Sequence, residues 1–240
     1  MNRLQRLVQS SVGAKITIAI TGLLLFAFVI VHLLGNLQLY RGRDAMNSYA
    51  ETLHHLGPLL WLARLILLGL FVSHLALGFR LYRANRAARG QDDYYVKRSA
   101  HRDDLRRQKA KAAAMMLASG AVILLFVLYH LMHFTLGWIQ PSAHHLTETL
   151  PDGSTRHDVY GMVIAGFQNP LHTGVYVVAM LLLGWHLFHG ATSILQTLGL
   201  THPVWRPATE KLLWFLVAFV VVGNCFIPLS ILLGFGPQGG

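Results

Sequence analysis

The 240-residue sequence contains few charged side chains and a single cysteine, and both shortages exclude whole classes of protein. Only 12% of the residues are charged and 54% are hydrophobic, which does not suit a soluble domain of this length. The lone Cys225 excludes an internal disulfide, a cluster of thiolates around iron–sulfur and the two-cysteine attachment of a c-type haem. The composition indicates a polytopic membrane protein.

Five apolar stretches are long enough to cross a bilayer, which takes about 20 residues of helix each. They are residues 15–37, 59–82, 112–138, 171–198 and 212–233. The first is too long for a signal peptide and lacks a convincing cleavage site of small residues. We therefore expect an all-α transmembrane bundle of five helices that forms one domain over residues 1–240.

Lysine and arginine are distributed unevenly between the segments that connect these spans. Sixteen of the 20 lie before span 1, between spans 2 and 3 or between spans 4 and 5, if Lys15 and Arg80 at the adjoining ends of spans 1 and 2 are included. The positive-inside rule predicts that the N-terminus is cytoplasmic and the C-terminus is outside. This topology accounts for most of the net charge of +10, so we expect contact with lipid head groups and no nucleic-acid partner.

Histidine is the unusual residue of the spans, because a polar ring at membrane depth is costly and usually has a partner. At 1.5 Å of rise per residue, His32 and His130 fall in the outer half of the membrane, and His74 and His186 in the inner half. We call these the outer pair and the inner pair, separated in depth by about 10–15 Å. Depth does not distinguish His130 from His133, or His186 from His189.

Two imidazoles that face each other across a bundle are what a porphyrin-bound iron needs to become six-coordinate. A single intramembrane histidine is more often an interhelical hydrogen-bonding residue, but four at matched depths favour ligation. We expect the second ring nitrogen of each ligand to bond a backbone carbonyl one turn away. Glycines at matched offsets, Gly22 and Gly120 before the outer pair and Gly78 and Gly190 after the inner pair, are expected to admit a flat macrocycle. Arg64 is a candidate partner for a propionate of the outer haem, or a snorkelling side chain.

Several local motifs resemble one family over essentially the whole chain. The segments are "SSVGAKITIAITGLLLFAFVIVHLLGNL", "YAETLHHLGPLLW", "SHLALGFRLY", "YHLMHFTLGW" and "GWHLFHGATSILQTLGL". They resemble the cytochrome b subunit of succinate dehydrogenase/fumarate reductase, in its bacterial form with five helices and two b haems. The resemblance implies that one histidine from each of the first four helices is an axial ligand, and its motifs favour His130 over His133 and His186 over His189.

The resemblance also implies partners and a place in the cell. A chain of this family lies in the bacterial cytoplasmic membrane and anchors an FAD-containing flavoprotein and an iron–sulfur protein on the cytoplasmic face. Those subunits interconvert succinate and fumarate, and the anchor passes electrons to or from quinone, typically menaquinone. Glu51 resembles an acidic residue that part of the family uses near the quinone, and Tyr49 and His54 are its neighbours in sequence.

Two other functions remain open at this point. A di-haem anchor of a hydrogenase or formate dehydrogenase would share the bundle and the haems but serve another catalytic partner. A haem-free, histidine-rich metal transporter would need a polar path through the membrane, whereas the spans carry few polar residues besides histidine.

Overall fold

The computed structural model describes residues 10–87, 100–200 and 202–237, and the side chains of these residues apart from residues 11 and 100–110. The basic residues of segments 1–9 and 88–99, on which the predicted topology partly rests, lie outside this part of the chain. The elements in chain order are α1 (Ser11–Asn36), a 3-10 turn (Leu37–Arg41), α2 (Arg43–His55), α3 (Pro58–Ala87), α4 (Ala100–His130), a π-helical turn (Leu131–Thr135), α5 (Pro141–His144), β1 (Thr147–Thr149), β2 (Thr155–His157), α6 (Val159–Phe167), α7 (Pro170–Thr197) and α8 (Arg206–Leu232).

Five of these helices are long and apolar enough to cross a membrane: α1, α3, α4, α7 and α8. They correspond to the five predicted spans, so the prediction of an all-α bundle of membrane-spanning length is confirmed. Large apolar side chains cover its surface, including Leu125, Leu171 and Phe215, all more than 60% exposed. Such a surface suits lipid as its surroundings. The orientation of the termini stays a prediction.

Local chemistry fixes where the helices begin. The Ser10 hydroxyl accepts a hydrogen bond from the Gly13 amide at 2.9 Å at the start of α1. The Asn169 side chain does the same for Leu171, and Pro170 follows as the first residue of α7. Both arrangements satisfy amides that a helix leaves without an intrahelical partner.

Close packing between the long helices relies on small residues. A Cβ atom on Gly184 of α7 would come within 2.5 Å of Val221 in α8, and one on Gly223 of α8 within 2.7 Å of Leu33 in α1. Lipid tails are as apolar as these side chains, so the helices associate through close van der Waals contact. α3 is the exception: it packs mainly along α1, and none of its residues is buried.

One end of the bundle is covered by α2, the antiparallel β1–β2 hairpin and α6, and we call it the capped end. Arg156 of β2 donates to Glu148 at 2.8 Å and to Asp44 at 2.8 Å. These bonds to the guanidinium lower the pKa of both carboxyl groups. The cap therefore joins the segment after α1 to the segment before α7.

A buried polar centre continues this ionic network inside the cap. Asp158 is 3% exposed, forms an ion pair with Arg43 and accepts a hydrogen bond from Asn47 at 2.9 Å. Asn47 also donates to Glu148 at 2.7 Å and accepts from the Tyr160 amide at 2.9 Å. Buried polar groups are stable when their charges are paired and their amide groups are hydrogen-bonded. The segments that sequence analysis treated as outer loops are thus an ordered cap.

Candidate functional site

The inner pair lies across the bundle as the depth argument predicted. His74 of α3 and His186 of α7 face each other with ring centres 6.4 Å apart and ring planes at 67°. Each ring is held from its Nδ1 side by a hydroxyl on a different helix. Thr21 Oγ1 of α1 lies 3.2 Å from His74 Nδ1, and Ser119 Oγ of α4 lies 3.0 Å from His186 Nδ1.

These two hydroxyls determine which ring nitrogen carries the proton. The Thr21 hydroxyl donates to the Thr17 carbonyl at 2.9 Å, and the Ser119 hydroxyl donates to the Met116 carbonyl at 3.1 Å. A hydroxyl has one hydrogen, so each oxygen is left to accept from the imidazole Nδ1–H. We therefore assign the neutral rings as protonated on Nδ1, with the lone pair on Nε2. That tautomer leaves Nε2 free to bind a metal.

Two glycines lie against the inner pair, and this corrects the sequence-based expectation. A Cβ on Gly22 would lie 3.1 Å from His74 Cε1, and one on Gly120 would lie 3.6 Å from His186 Cε1. We expected these glycines to serve the outer pair. That expectation was wrong because ten residues of helix span about 15 Å, which carries each glycine to the other level of the bundle.

The outer pair also faces across the bundle. His32 of α1 and His130 of α4 have ring centres 5.8 Å apart and ring planes at 83°. Phe28 stacks on His32 at 5.5 Å, and Phe126 lies 6.0 Å from His130. The Tyr176 hydroxyl of α7 is 3.1 Å from His130 Nδ1. The outer pair lies nearer the capped end, because the chain from His32 and His130 leads directly into the cap.

The separation of the two levels along the chain is the same in α1 and in α4. Thr21 precedes His32 by eleven residues on α1, and Ser119 precedes His130 by eleven residues on α4. Eleven residues of helix are about 16 Å. Each of these helices therefore contributes a hydroxyl and a glycine to one level and a histidine to the other.

The structure separates the histidines that the sequence left as alternatives. His133 is 2% exposed, with Nδ1 3.2 Å from the Tyr176 hydroxyl and its ring centre 4.6 Å from His172. His189 packs on Trp185 at 4.6 Å and donates from Nδ1 to the Trp185 carbonyl. The rings that face a histidine of α1 or α3 are His130 and His186, as the motifs favoured.

The separations within the pairs can be tested against the requirements of haem iron. A metal–nitrogen bond of about 2.0 Å and a ring radius of about 1.2 Å place two opposed imidazole centres about 6.4 Å apart. The observed values are 6.4 and 5.8 Å. Within residues 10–87, 100–200 and 202–237, no group of three or more His, Cys, Asp or Glu could hold a metal ion, whereas a porphyrin needs two protein ligands. The donor set fits a bis-histidine haem at each level.

The imidazoles of the pairs are not fully enclosed by protein. His32 is exposed at the bundle surface, and His74, His130 and His186 are half-buried. Protein side chains alone therefore do not enclose the imidazoles. Arg64 of α3 stacks over Trp61 at 5.0 Å and precedes His74 by ten residues, which is about 15 Å towards the capped end. It thus lies near the level of the outer pair, and its role towards a propionate stays a prediction.

The three residues predicted to contact quinone lie on α2 in the cap. Glu51 is exposed, with a carboxylate oxygen 3.8 Å from Arg156 and another 3.8 Å from His55. His54 is exposed. The Tyr49 hydroxyl packs on α1, where a Cβ on Gly35 would come within 2.5 Å of it. Of the three, Tyr49 reaches the helix that carries His32, and their contact with quinone stays a prediction.

Sequence reasoning missed Thr21, Ser119, Tyr176 and the surroundings of His133. One signal was available for the first two: a hydroxyl followed by glycine occurs eleven residues before the histidine in both α1 and α4. Tyr176 had no comparable signal, since it is one of several aromatic residues in an apolar span.

The chain was compared with known proteins at three levels. It matches no protein family model, no curated protein sequence and no solved structure. The functional argument therefore rests on the geometry of the histidine pairs and on the sequence motifs.

Proposed function

We propose that this chain is the di-haem cytochrome b membrane anchor of a succinate:quinone oxidoreductase. It is the quinone-reactive, electron-transfer subunit, and the dehydrogenase chemistry belongs to its partners. The observation that carries the proposal is the presence of two opposed histidine pairs at two levels of a bundle of membrane-spanning helices. The motifs that resemble the family supply the identity of the partners.

His74 and His186 hold the inner haem in this proposal, and His32 and His130 hold the outer one. Thr21 and Ser119 fix the inner rings with Nε2 free, and Tyr176 orients His130. Gly22 and Gly120 keep side chains away from the inner rings. Each haem, when bound, supplies a one-electron carrier, and the two levels are about 16 Å apart.

The proposed partners follow from the family and from the charge distribution. The FAD-containing flavoprotein and the iron–sulfur protein dock on the cytoplasmic face, where the basic segments are predicted to lie, opposite the capped end. Menaquinone is the proposed quinone, and the bacterial cytoplasmic membrane is the proposed location. Arg64 serves the outer propionate, and Glu51, Tyr49 and His54 are the sequence-based candidates for contact with quinone.

Purification from a membrane in which the full chain is expressed with its natural partners tests the proposal. We expect a flavoprotein and an iron–sulfur protein to co-purify, with low-spin b-type absorption bands that succinate reduces. Co-purification with a hydrogenase or formate dehydrogenase, with bands that succinate does not reduce, would identify the alternative di-haem anchor. A complex without haem bands would exclude both.

A further inference from the structure

A groove runs along the lipid-facing surface between α4 and α7, near the capped end. It has a volume of about 620 Å³. Its walls are apolar except at Tyr129 of α4. They also include Leu125 and Phe126 from α4 and Leu171, Gly174 and Val178 from α7. The volume lies within the range of about 300–1,000 Å³ that pockets for small organic ligands occupy.

The groove is open to the bilayer. Leu125 is 66% exposed, Leu171 is 72% exposed and Val178 is 58% exposed, and all three lie on the surface formed by the membrane-spanning helices. A ligand that is dissolved in lipid can therefore enter from the side, with its apolar tail along the groove. A water-soluble ligand would meet no polar entrance there.

Tyr129 is the polar residue of the groove wall, and two histidines lie beside its ring; we call this the polar end. The Tyr129 ring lies 5.8 Å from His133 and 6.4 Å from His172, centre to centre. His172 Nδ1 donates to the Gly166 carbonyl at 3.2 Å, so its neutral ring keeps Nε2 as an acceptor. His133 Nε2 and Gln140 Oε1 are both buried without a well-formed hydrogen bond, and the two side chains lie close enough to interact. A small rotation of either side chain lets His133 Nε2–H donate to Gln140 Oε1.

The polar end adjoins the outer pair. Phe126 of the groove wall lies 6.0 Å from His130, and the Tyr176 hydroxyl touches both His130 Nδ1 at 3.1 Å and His133 Nδ1 at 3.2 Å. A head group at Tyr129 would therefore lie beside the outer electron carrier of the proposed function. The Glu51 carboxylate, in contrast, lies in the exposed ionic network of the cap.

We propose that this groove binds the quinone, with the ring at Tyr129 and His172 and the isoprenoid tail along α4 and α7. The Tyr129 phenol donates a hydrogen bond to a quinone carbonyl, and the acceptor nitrogen of His172 receives one from a quinol hydroxyl. The site rests on the proposed function for its ligand, and it replaces Glu51 and His54 as the place of contact.

Photoaffinity labelling locates the quinone directly. The full chain with bound haem, in lipid nanodiscs, is irradiated with an azido-naphthoquinone that carries one isoprenoid unit, and the labelled peptides are identified by mass spectrometry. We expect label within residues 122–129 or 170–179, and excess unmodified naphthoquinone should remove it. Competed label confined to residues 43–55 would overturn the groove in favour of Glu51. Label that only added phospholipid displaces would show that the groove holds an acyl chain.

A matched pair of glycine substitutions tests the site a second time. Gly174 lines the groove, and a Cβ there meets no atom within 4 Å, so Gly174→Leu fills the groove without a clash with the bundle. Gly69 of α3 is also exposed and has no atom within 4 Å, but it is not in the groove, so Gly69→Leu is the control. We expect labelling to fall at least tenfold in Gly174→Leu and to stay unchanged in Gly69→Leu.

The haem spectrum separates failure of this site from failure of the proposed function. Both variants should retain the haem bands of the original chain. Loss of haem in Gly174→Leu alone would show that the groove holds part of the outer macrocycle, which overturns the quinone site. Normal haem bands with label outside the groove would refute the groove and leave the proposed function standing. Labelling of the groove in a chain that never binds haem would support the quinone site and refute the proposed function.

Discussion

The two histidine pairs have similar ring geometry but different surroundings. At the inner level, each Nδ1 meets its own hydroxyl, and each hydroxyl donates back to a carbonyl of its own helix. At the outer level, the Tyr176 hydroxyl is shared between His130 and a second buried histidine, His133. The hydrogen bonds of the inner pair lead back to the helices that carry the hydroxyls. Those of the outer pair lead through Tyr176 to His133, which lies beside the groove residue Tyr129.

This difference assigns different tasks to the two levels. An inner level whose two hydroxyls bond only the imidazoles and the carbonyls of their own helices suits transfer of an electron alone. An outer level connected to tyrosine and histidine side chains suits contact with a ligand that exchanges protons as well as electrons, because proton transfer requires groups within hydrogen-bond reach. Substitutions that change only one of the two levels test this difference.

The largest expected effect is the loss of one whole haem. His186→Ala removes an inner ligand and should leave one haem per chain, whereas His189→Ala, three residues away and bonded to its own helix, should leave two. His130→Ala should remove the outer haem in the same way. Haem content per polypeptide, measured from the pyridine haemochrome, gives the counts. A variant of one level that loses both haems would contradict the independence of the two levels.

Removal of Asp158 should destabilise the capped end. Asp158→Ala removes the carboxylate that pairs with Arg43 and deprives Asn47 and the Gly161 amide of an acceptor. The Arg43 side chain is 32% exposed, so we expect a cost below that of a fully buried pair, which is about 3–5 kcal/mol. We expect faster amide hydrogen exchange in α2 and α6 and weaker retention of the outer haem. Glu210→Ala, which breaks an exposed pair with Arg206 far from the cap, should cost less than about 1 kcal/mol. Equal destabilisation by Asp158→Ala and Glu210→Ala would contradict the expected difference between the capped end and the opposite end of the bundle.

The cap should also be sensitive to acid. Hydrogen bonds from Arg156 lower the pKa of Glu148 and Asp44 below their ordinary values of 4.5 and 3.8. The stabilisation is therefore complete above those values and is lost as the pH falls through the lower pKa of the folded state. The protection factors of the β1–β2 amides, which compare the observed rate with the intrinsic rate at the same pH, should fall below about pH 4. Arg156→Met should show low protection factors at neutral pH and little further change on acidification.

The sequence was sufficient for the five spans and for the pairing of histidines by depth, because both depend on the fixed rise of a helix and on hydropathy. It was not sufficient for the surroundings of His133, since a π-helical turn follows His130 and its wider winding changes which face the next histidine occupies. The partners of the Nδ1 atoms were also missed. We expected carbonyls of the same helix, whereas hydroxyls on neighbouring helices fill that role, and only the packing of four helices brings them together.

The smallest expected effect concerns the hydroxyls. Thr21→Val removes the hydroxyl acceptor of His74 Nδ1–H and leaves only the nearby Ile18 carbonyl, which makes the imidazole a weaker donor to iron. Loss of one hydrogen bond of about 1 kcal/mol corresponds to about 40 mV for a one-electron couple. We expect the inner midpoint potential to rise by about that amount while the outer one stays unchanged, and Tyr176→Phe to move the outer one alone. Redox titration followed by absorption measures both. A shift of both potentials in either variant would show that the levels share one network.

The central claim is that the imidazoles of His32 with His130, and of His74 with His186, clasp two irons at two levels of the bundle. The most direct measurement is the haem content and low-temperature electron paramagnetic resonance of the full chain, purified from cells supplied with porphyrin precursor. The account predicts two b haems per polypeptide and two low-spin ferric signals that reflect different ligand geometries. A well-folded chain that binds no haem under these conditions would contradict it.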